Sequence, residues 1–222
     1  LGGRRRQAEP VTTRVGFAII VFGVLLVVAG AVNWVGSGCA DIAYTLAIVV
    51  DATDMGPATQ ISTGDDFSCA LDTDGAAWCW GRGRSGSCGN GTFTDYTCPT
   101  PTAVVGGLTF TSLSADAQHV CGITPSQDLY CWGRDDFGEL GLGNPGSDAH
   151  TPQRVLGVGG VGFLSGITQV EARDSTTCAL RNDGRVLCFG FGGDRTLGTG
   201  NDNDASTPVL VSGLTDADKL SC

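Results

Sequence analysis

Ten cysteines are the residues of this 222-residue sequence with the clearest capacity for chemistry. Six of them form three pairs with nine residues between the partners, and each second cysteine precedes an aromatic residue and a glycine: Cys69/Cys79, Cys121/Cys131 and Cys178/Cys188. Thiols bind zinc or form disulfides, but a zinc site needs clustered Cys-x-x-Cys or Cys/His sets, and the sequence has none. The regular pairs therefore predict structural disulfides in an oxidising compartment.

Each cysteine pair spans a predicted β-hairpin. In the first and third copies an Asp-Gly step, ending at Gly75 and Gly184, separates two apolar runs. Asp-Gly favours a short hairpin loop in which the glycine has a positive φ. Counting outward from the loop places the two cysteines opposite each other, so a disulfide would join the two strands. The second copy has Gln127 in place of the glycine, and we expect a different type of turn there.

Four cysteines remain outside the three hairpins. Cys88 and Cys98 lie in one loop of the first copy, again with nine residues between them, and we expect them to close that loop. Cys39 and Cys222 are left at the two ends of the part that follows an apolar segment, and we expect them to join its first and last strands. Closing the local loops stabilises a fold by about 2.5–3 kcal/mol each in the chain-entropy model. Five disulfides could thus replace a large hydrophobic core.

The two histidines give little support for acid–base or metal chemistry. His119 stands where the other copies have Phe67 and Thr176, which predicts a structural role. His150 precedes a Thr-Pro step in a predicted loop. General acid–base catalysis needs a titratable group placed beside a second functional group, and the sequence shows no such constellation.

Three short motifs resemble ligand or modification sites. Gly157-Val-Gly-Gly-Val-Gly162 has the spacing G-x-G-x-x-G, but phosphate binding also requires a following helix, and another strand is predicted here. Asn201-Asp-Asn-Asp204 lacks the terminal glutamate of a calcium loop, and we interpret it as a solvated turn. Asn90-Gly-Thr92 is a glycosylation sequon, meaningful only in a eukaryotic secretory pathway. The sequence therefore predicts no cofactor, no metal site and no catalytic residue; a hydrolase that uses carboxylates is the enzymatic alternative.

The N-terminal segment has the pattern of a membrane anchor. Residues 1–14 contain four arginines, the last of them Arg14, against one acid, and residues 15–38 contain no charge. At about 1.5 Å per residue the apolar stretch can cross a hydrocarbon core of about 30 Å, which predicts a transmembrane helix over residues 15–36. Arginines before it and Trp34 after it indicate a cytoplasmic N-terminus, with the bulk of the chain periplasmic or extracellular.

Processing and packing of this segment leave alternatives. A cleaved secretory signal is one, and a lipoprotein signal ending at Cys39 is another, although glycine stands where leucine is usual. Three glycines, Gly16, Gly23 and Gly30, recur every seven residues and share one helix face, where other transmembrane subunits could pack closely. Residues 37–57 are predicted to be a linker with one closing strand.

Three repeats occupy the rest of the chain, at about residues 58–110, 111–166 and 167–222. After each hairpin comes a glycine-rich landmark, for example Gly138-Glu-Leu-Gly-Leu-Gly143 in the second repeat. Cys88 occupies the leucine position of this landmark in the first repeat, so its disulfide would replace an apolar side chain. A Thr-Pro step then leads into an apolar strand, where proline at the strand start costs no ladder hydrogen bond.

The series Cys-Ala-Leu, Asp-Gly, Cys-Trp-Gly, Gly-x-Leu-Gly-x-Gly and Thr-Pro resembles the regulator of chromosome condensation repeat, in its cysteine-bearing bacterial form, over residues 58–222. The resemblance implies an all-β fold of four-stranded propeller blades. It does not extend to nucleotide-exchange activity on a small GTPase, for which no residues match. Closed propellers have about 4–8 blades. We therefore expect three blades plus terminal strands, either within a longer protein or as an arc closed by Cys39 and Cys222.

Charge narrows the class of partner. Residues 15–222 carry 9 basic and 22 acidic side chains, a net charge of −13, which disfavours nucleic acid and suits a basic protein. We expect a non-enzymatic accessory subunit of a larger membrane complex, such as a respiratory or photosynthetic one, whose outer domain caps or bridges neighbours. A free-standing surface receptor or adhesin for an external protein or glycan is the alternative. Function is expected where the repeats differ: the Cys88/Cys98 loop, residues 157–166 and the helix.

Overall fold

A computed structural model describes residues 18–21, 24–27, 55–92 and 97–221 of the chain. The first two ranges form strands β1 (Ala18–Val21) and β2 (Val24–Val27), which pair antiparallel within a unit of residues 1–51. These residues are strands where the sequence predicts a helix, and the remainder of the predicted span lies outside the described residues. Apolar runs rich in valine and isoleucine suit a strand as well as a helix, and periodicity does not separate the two. No helix in the described part of the chain is long and apolar enough to span a membrane.

Three four-stranded antiparallel sheets, here called blades 1, 2 and 3, form a second unit of residues 52–222. Blade 1 consists of β3 (Ala58–Thr63), β4 (Phe67–Asp72), β5 (Ala77–Gly81) and β6 (Cys98–Ala103). Blade 2 consists of β7 (Ser112–Asp116), β8 (His119–Ile123), β9 (Leu129–Gly133) and β10 (Ala149–Arg154). Blade 3 consists of β11 (Ile167–Arg173), β12 (Thr176–Arg181), β13 (Val186–Gly190) and β14 (Ala205–Leu210). Neighbouring strands in each sheet follow each other in the chain, as in a propeller blade.

Side chains on the first strand of each blade bind the main chain of the segment that follows. Gln60 donates from Nε2 to the carbonyl oxygen of Leu113 (2.7 Å) and accepts from its N–H (2.9 Å). Gln169 makes a similar contact two blades later, on the first strand of blade 3, because its Oε1 accepts from the N–H of Leu220 at 2.8 Å. One apolar cluster includes buried residues from all three blades, with Trp132 among the fully buried ones. The blades are thus joined through polar links and a common core.

Four disulfides are present among the described residues: Cys69–Cys79, Cys88–Cys98, Cys121–Cys131 and Cys178–Cys188. In the three hairpin pairs the cysteines are direct cross-strand partners, and their Cα atoms are 4.1 Å apart. This close spacing is typical of a non-hydrogen-bonded antiparallel pair. The predicted partners Cys39 and Cys222 lie outside the described residues.

The Cys88–Cys98 disulfide occupies a site that is filled by apolar side chains in the other blades. Cys98 pairs with the last glycine of β5, as Ala149 and Ala205 pair with the last glycines of β9 and β13. The residues at the position of Cys88 in blades 2 and 3 are the fully buried Leu140 and Leu197. Cys88 itself is buried. The disulfide therefore replaces a leucine–alanine combination.

A double variant of this disulfide tests that equivalence. We expect Cys88→Leu/Cys98→Ala to lose about 2 kcal/mol of unfolding free energy, because the staple is lost but the apolar packing of the other blades is restored. Cys88→Ser/Cys98→Ser should lose about 4 kcal/mol, because it also buries hydroxyl groups without partners. Urea denaturation of both variants gives the comparison. Equal losses would show that Cys88 does not fill a leucine site.

The turn of the second hairpin differs from our expectation. Gln127 has a φ of +64°, close to the +80° of Gly75 and the +79° of Gly184. Each of the three residues donates its N–H to the carbonyl oxygen three positions earlier, so the turn is of the same type in every blade, and the prediction of a different turn is wrong. The carbonyl oxygen of Gln127 accepts from the N–H of Ile167 (3.0 Å), and its Oε1 accepts from Asn182 (3.3 Å). These contacts offset the cost of about 1 kcal/mol for a non-glycine residue at positive φ.

Candidate protein-docking surface

The loop of residues 157–166, here called the insertion loop, is a small rigid hairpin on blade 2. Leu156 and Phe163 form an antiparallel bridge, and the N–H of Gly157 donates to the carbonyl oxygen of Gly162 at 3.0 Å. Between them lies a single 3-10 turn, Val158–Gly160. The loop leads into strand β11, so the glycine spacing serves a tight hairpin and not a helix N-terminus that could hold phosphate.

The insertion loop presents apolar side chains to solvent. Val161 is 81% exposed, Phe163 55% and Val158 42%. The guanidinium carbon of Arg154 lies 4.8 Å from the centre of the Phe163 ring, at cation–π distance, and an Arg154 nitrogen is 2.6 Å from a carboxylate oxygen of Asp128. Arg154 therefore holds the Phe163 ring in place at the surface. A fixed cluster of exposed apolar groups beside polar ones is typical of a protein contact site.

In each blade the first strand contacts the neighbouring blades and the last strand is the opposite, outer edge of the sheet. A groove of about 470 Å³, here called the rim groove, runs along β10, the outer strand of blade 2. Its lining includes Leu142, Asn144, Asp148, His150, Thr151, Gln153 and Leu156. Asp148 is exposed at one side, where one of its carboxylate oxygens accepts from the N–H of Asp135 at 3.1 Å. Arg154 also lines the groove, but its charge is balanced by the carboxylate of Asp128. The groove therefore presents a carboxylate among mainly polar side chains, with Leu142 and Leu156 as its large apolar groups.

Gly91, in the loop closed by Cys88–Cys98, forms part of one wall of the rim groove. The N–H of Gly91 donates to the carbonyl oxygen of His150 (2.9 Å), and the indole N–H of Trp132 donates to the carbonyl oxygen of Ser87 (3.0 Å). These bonds attach the loop of blade 1 to strands of blade 2. Both loops in which the repeats differ therefore adjoin the same outer strand, which sequence reasoning did not reveal.

Family profiles match most of the repeat region. Residues 58–92, 127–180 and 183–222 match profiles described as "Regulator of chromosome condensation (RCC1) repeat", and together these ranges cover more than half of the chain. The chain belongs to the RCC1 repeat family. The expected family, the all-β class and the four-stranded blades are confirmed.

Proteins that contain RCC1 repeats are similar to this chain over only part of their length. Human "E3 ubiquitin-protein ligase HERC2" is 31% identical over 159 residues, which are 70% of this chain and 3% of HERC2. "Ultraviolet-B receptor UVR8" of Arabidopsis thaliana is 28% identical over 158 residues, or 71% of this chain and 35% of UVR8. Yeast RCC1 (Prp20), solved bound to Kap60, superimposes with a TM-score of 0.60 at 20% identity, over 69% of this chain and 37% of that one. The last likeness shows the fold alone.

His119 links two RCC1 repeats through a buried polar chain. The hydroxyl of Thr177 donates to the carbonyl oxygen of Glu139 (2.8 Å), so it must accept from the Nε2–H of His119, which lies 2.9 Å away. Burial lowers the pKa of His119 to about 4, against a weaker raising effect of Asp116 and with a further lowering by Arg134. The imidazole is therefore neutral at pH 7, and its role is structural.

Two buried carboxyls shape the loop after strand β9 of the second RCC1 repeat. The Oδ1 atom of Asp135 accepts from the N–H of Leu140 (2.9 Å), and Oε2 of Glu139 accepts from the N–H of Phe137 (2.7 Å). Burial raises the pKa of Asp135 to about 7 and also raises that of Glu139. Both residues are fully buried, and neither is among the residues that line the rim groove. Burial is thus the main cause of their raised pKa values, and neighbouring carboxylates contribute in the same direction.

These two carboxyls were missed at the level of sequence, although the alignment of the RCC1 repeats contains a signal. Asp135 stands where the other repeats have Gly83 and Gly192, and Glu139 stands where they have hydroxyl residues. A carboxylate that replaces glycine within a repeat, and becomes buried, needs a hydrogen-bond donor nearby. The partners are backbone N–H groups of the same loop.

The remaining predicted sites have varied outcomes. Asn201 accepts from the N–H of Asn203 (3.0 Å), and Asp204 accepts from the N–H of Gly192 (2.8 Å), which makes this acidic segment a hydrogen-bonded turn. Within residues 55–92 and 97–221, no group of three or more His, Cys, Asp or Glu side chains could hold a metal ion. The predicted helix-packing and interface residues lie outside the described part of the chain: Gly16, Gly23, Gly30, Arg14 and Trp34.

Proposed function

We propose that the RCC1 repeats of this chain are a non-enzymatic protein-interaction scaffold that contacts its partner through the insertion loop. The observation that carries the proposal is the rigid loop that exposes Val158, Val161 and Phe163 beside Arg154. Aromatic and arginine side chains contribute most of the binding energy at many protein interfaces. Here both types are already held in position before a partner binds, which reduces the entropy lost on association.

The similar proteins support this general class. Yeast RCC1 was solved bound to another protein, Kap60, which is consistent with a protein-binding use of the fold. The ligase name of HERC2 belongs to a protein of which this chain matches 3%, so we propose no ligase activity for this chain. The net charge of −13 over residues 15–222 favours a partner with a basic surface over nucleic acid.

We further propose that the scaffold is a single-span accessory subunit of a larger membrane complex, with its N-terminus in the cytoplasm and its repeats outside. The support is the uncharged stretch of residues 15–38 with four arginines before it, together with the disulfides, which require an oxidising compartment. In the helix that the sequence predicts, Gly16, Gly23 and Gly30 would face the neighbouring helices, whereas the described residues 18–21 and 24–27 are strands.

Site-specific photo-cross-linking in intact cells tests the scaffold. A photoreactive residue at Val161 is expected to form a discrete adduct with another protein, because this side chain is 81% exposed on the insertion loop. The same residue at Leu214, which is 38% exposed on a different loop, is the control and should form none. Absence of an adduct at Val161, or equal adducts at both positions, would contradict the proposal.

Two measurements distinguish an accessory subunit of a membrane complex from a free-standing receptor or adhesin: the identity of the cross-linked protein and the effect of Gly23→Leu. An accessory subunit should cross-link to an integral membrane protein, and Gly23→Leu should abolish that adduct by blocking close helix packing. A free-standing receptor or adhesin should cross-link to an external protein or a glycoprotein, and Gly23→Leu should leave the adduct unchanged. The second pair of results would replace the accessory-subunit proposal with the receptor one.

A further inference from the structure

The outer strands of blades 2 and 3 present equivalent surfaces. Gly91 donates its N–H to the carbonyl oxygen of His150 (2.9 Å) on β10, and Gly143 donates to Ser206 (2.8 Å) on β14 in the same way. The neighbouring threonines, Thr151 and Thr207, occupy the same position of their strands, each before a proline. Whatever fits over Thr207 therefore has a geometric counterpart over Thr151.

Over Thr207 the space is filled by the insertion loop. A Cβ atom placed on Gly160 would lie 3.6 Å from Cγ2 of Thr207, and one placed on Gly143 would lie 3.2 Å from Cδ1 of Leu156. The 3-10 turn Val158–Gly160 thus packs against the outer strand β14 of the following blade. The residue of the turn that approaches Thr207 is a glycine, so this surface accommodates a tight glycine turn, whereas Val158 and Val161 remain exposed.

Over Thr151 none of the residues that the structure describes takes the place of the insertion loop. The connection that would cover it is the short link between blades 1 and 2, which contains Gly106 and Gly107 and has no counterpart of the insertion. Cβ atoms placed on these two glycines would meet nothing within 4 Å. The rim groove of about 470 Å³ occupies this side of β10. It is therefore the vacant counterpart of the site that the insertion loop fills.

The negative charge of Asp148 in the rim groove favours a ligand that carries a positive charge. Leu142 and Leu156 supply apolar floor, and the exposed carboxylate of Asp148 lies at the side. The two nearby arginines are paired with other carboxylates: Arg154 with Asp128 at 2.6 Å, and Arg134, which also interacts with Asp148, with Asp136. Within an acidic domain this groove attracts a cation beside an aliphatic group.

We propose that the rim groove binds a tight, glycine-containing turn of a protein partner that carries lysine or arginine beside the turn. The turn packs on Thr151 and Leu156 as the insertion loop packs on β14, and its cation pairs with Asp148. This inference rests on the proposed scaffold function, but it uses a different surface from Val161. A turn of this kind is already folded in its free form, so it loses little entropy on binding.

Binding of a defined peptide tests the groove. The probe is a fluorescent, disulfide-cyclised peptide that contains Lys-Val-Gly-Gly-Val-Gly-Lys, and its anisotropy is measured with the detergent-solubilised full chain. Saturable binding is expected, and the counterpart with glutamate in place of both lysines should not bind. Thr151→Trp fills the groove and should abolish binding, whereas Thr100→Trp, at the same strand position of blade 1, should leave it unchanged because Thr100 is exposed on β6 away from the groove.

A second pair of variants tests the charge. Asp148→Asn keeps an oxygen acceptor for the N–H of Asp135 and should weaken binding of the lysine peptide by about fivefold, whereas Asp74→Asn on an exposed hairpin turn should have no effect. The inference is overturned if the lysine peptide does not bind the wild-type chain, binds the Thr151→Trp variant equally, or binds no better than its glutamate counterpart. If the Val161 cross-link still forms in these cases, only the groove proposal is rejected and the scaffold proposal is retained.

Discussion

Replacing Gly133 with alanine is expected to lower the unfolding free energy by about 4 kcal/mol. Gly133 ends strand β9 with a φ of +105°, and a Cβ atom there would lie 2.4 Å from the carbonyl oxygen of Gln118 and 2.8 Å from Cα of His119. Both neighbours are main-chain atoms of the adjoining turn and strand, so the clash is relieved only by moving the backbone. Effects of this size arise where strain and overpacking coincide. Urea denaturation of the purified chain gives the measurement.

Gly106 provides a matched control for this variant. It has the same φ of +105°, but a Cβ atom there would meet nothing within 4 Å. Gly106→Ala should therefore cost only the backbone strain, about 1–2 kcal/mol. The difference between the two variants measures the contact with the Gln118–His119 backbone. If both variants lose the same amount, the close approach at Gly133 has no energetic consequence and the explanation of the Cys-Trp-Gly glycine is wrong.

Asp135→Asn is expected to stabilise the chain at pH 8 by about 2–4 kcal/mol and to have little effect near pH 4. Burial raises the pKa of Asp135 to about 7 in the folded chain, above the ordinary value of 3.8. A raised folded-state pKa stabilises the fold at pH values below the unfolded pKa, and this stabilisation is lost as the pH rises through the folded value. Asparagine does not ionise and keeps an oxygen that accepts from the N–H of Leu140, so it avoids the loss.

His119 changes the stability of the fold with pH in the opposite direction to Asp135, over nearly the same pH range. Its pKa is lowered to about 4 by burial, from 6.5, so its contribution is present above pH 6.5 and is lost as the pH falls through 4. The two groups therefore oppose each other between about pH 4 and 6.5 in the wild-type chain. In Asp135→Asn only Glu139 still opposes His119, so the change of stability with pH should be more positive than in the wild type. In His119→Gln, which keeps a donor for Thr177, the stability should fall more steeply.

Urea midpoints measured from pH 4 to 8 for the wild type and the two variants test this opposition. Glu139, whose pKa is also raised by burial, acts in the same direction as Asp135 and adds to the slope of His119→Gln. Parallel pH profiles for all three proteins would show that neither group is titrated by folding. In that case folding would not change the pKa values of the buried side chains, and their burial would not have the expected effect on their ionisation.

The repeat pattern was readable from sequence because each blade is built from local contacts. Strand alternation, the Asp-Gly turn and cysteines spaced evenly about that turn are properties of one hairpin, and the cross-strand pair Cys69–Cys79 follows from counting. Gln127 was misjudged because its positive φ is held from outside the hairpin, by Ile167 and Asn182 of blade 3. Local propensity is a weak prior where such tertiary contacts compete with it.

The docking surface was only partly readable. Sequence comparison of the repeats pointed to residues 157–166 and to the Cys88–Cys98 loop, because both depart from the repeat. It did not show that Gly91 binds the main chain of His150, which brings the first loop to the strand beside the second. The sequence also did not show that the guanidinium of Arg154 lies over the Phe163 ring, because the position of a residue in a strand does not define the direction of a long side chain. Contacts between blades decide both features.

By itself the sequence determined the hairpin disulfides, because these depend on spacing within about ten residues of one turn. The four-stranded blades were implied by the resemblance of the whole repeats to a known family. Only the tertiary structure decided which loops share the outer strand of blade 2, which carboxyls are buried and where a groove is left open. Those properties depend on the packing of one repeat on the next. The rim groove is present because the connection between blades 1 and 2 is shorter than the connection between blades 2 and 3, which contains the insertion loop. The chemistry of the ten cysteines is thus local, whereas the surface proposed for binding belongs to the assembly of the blades.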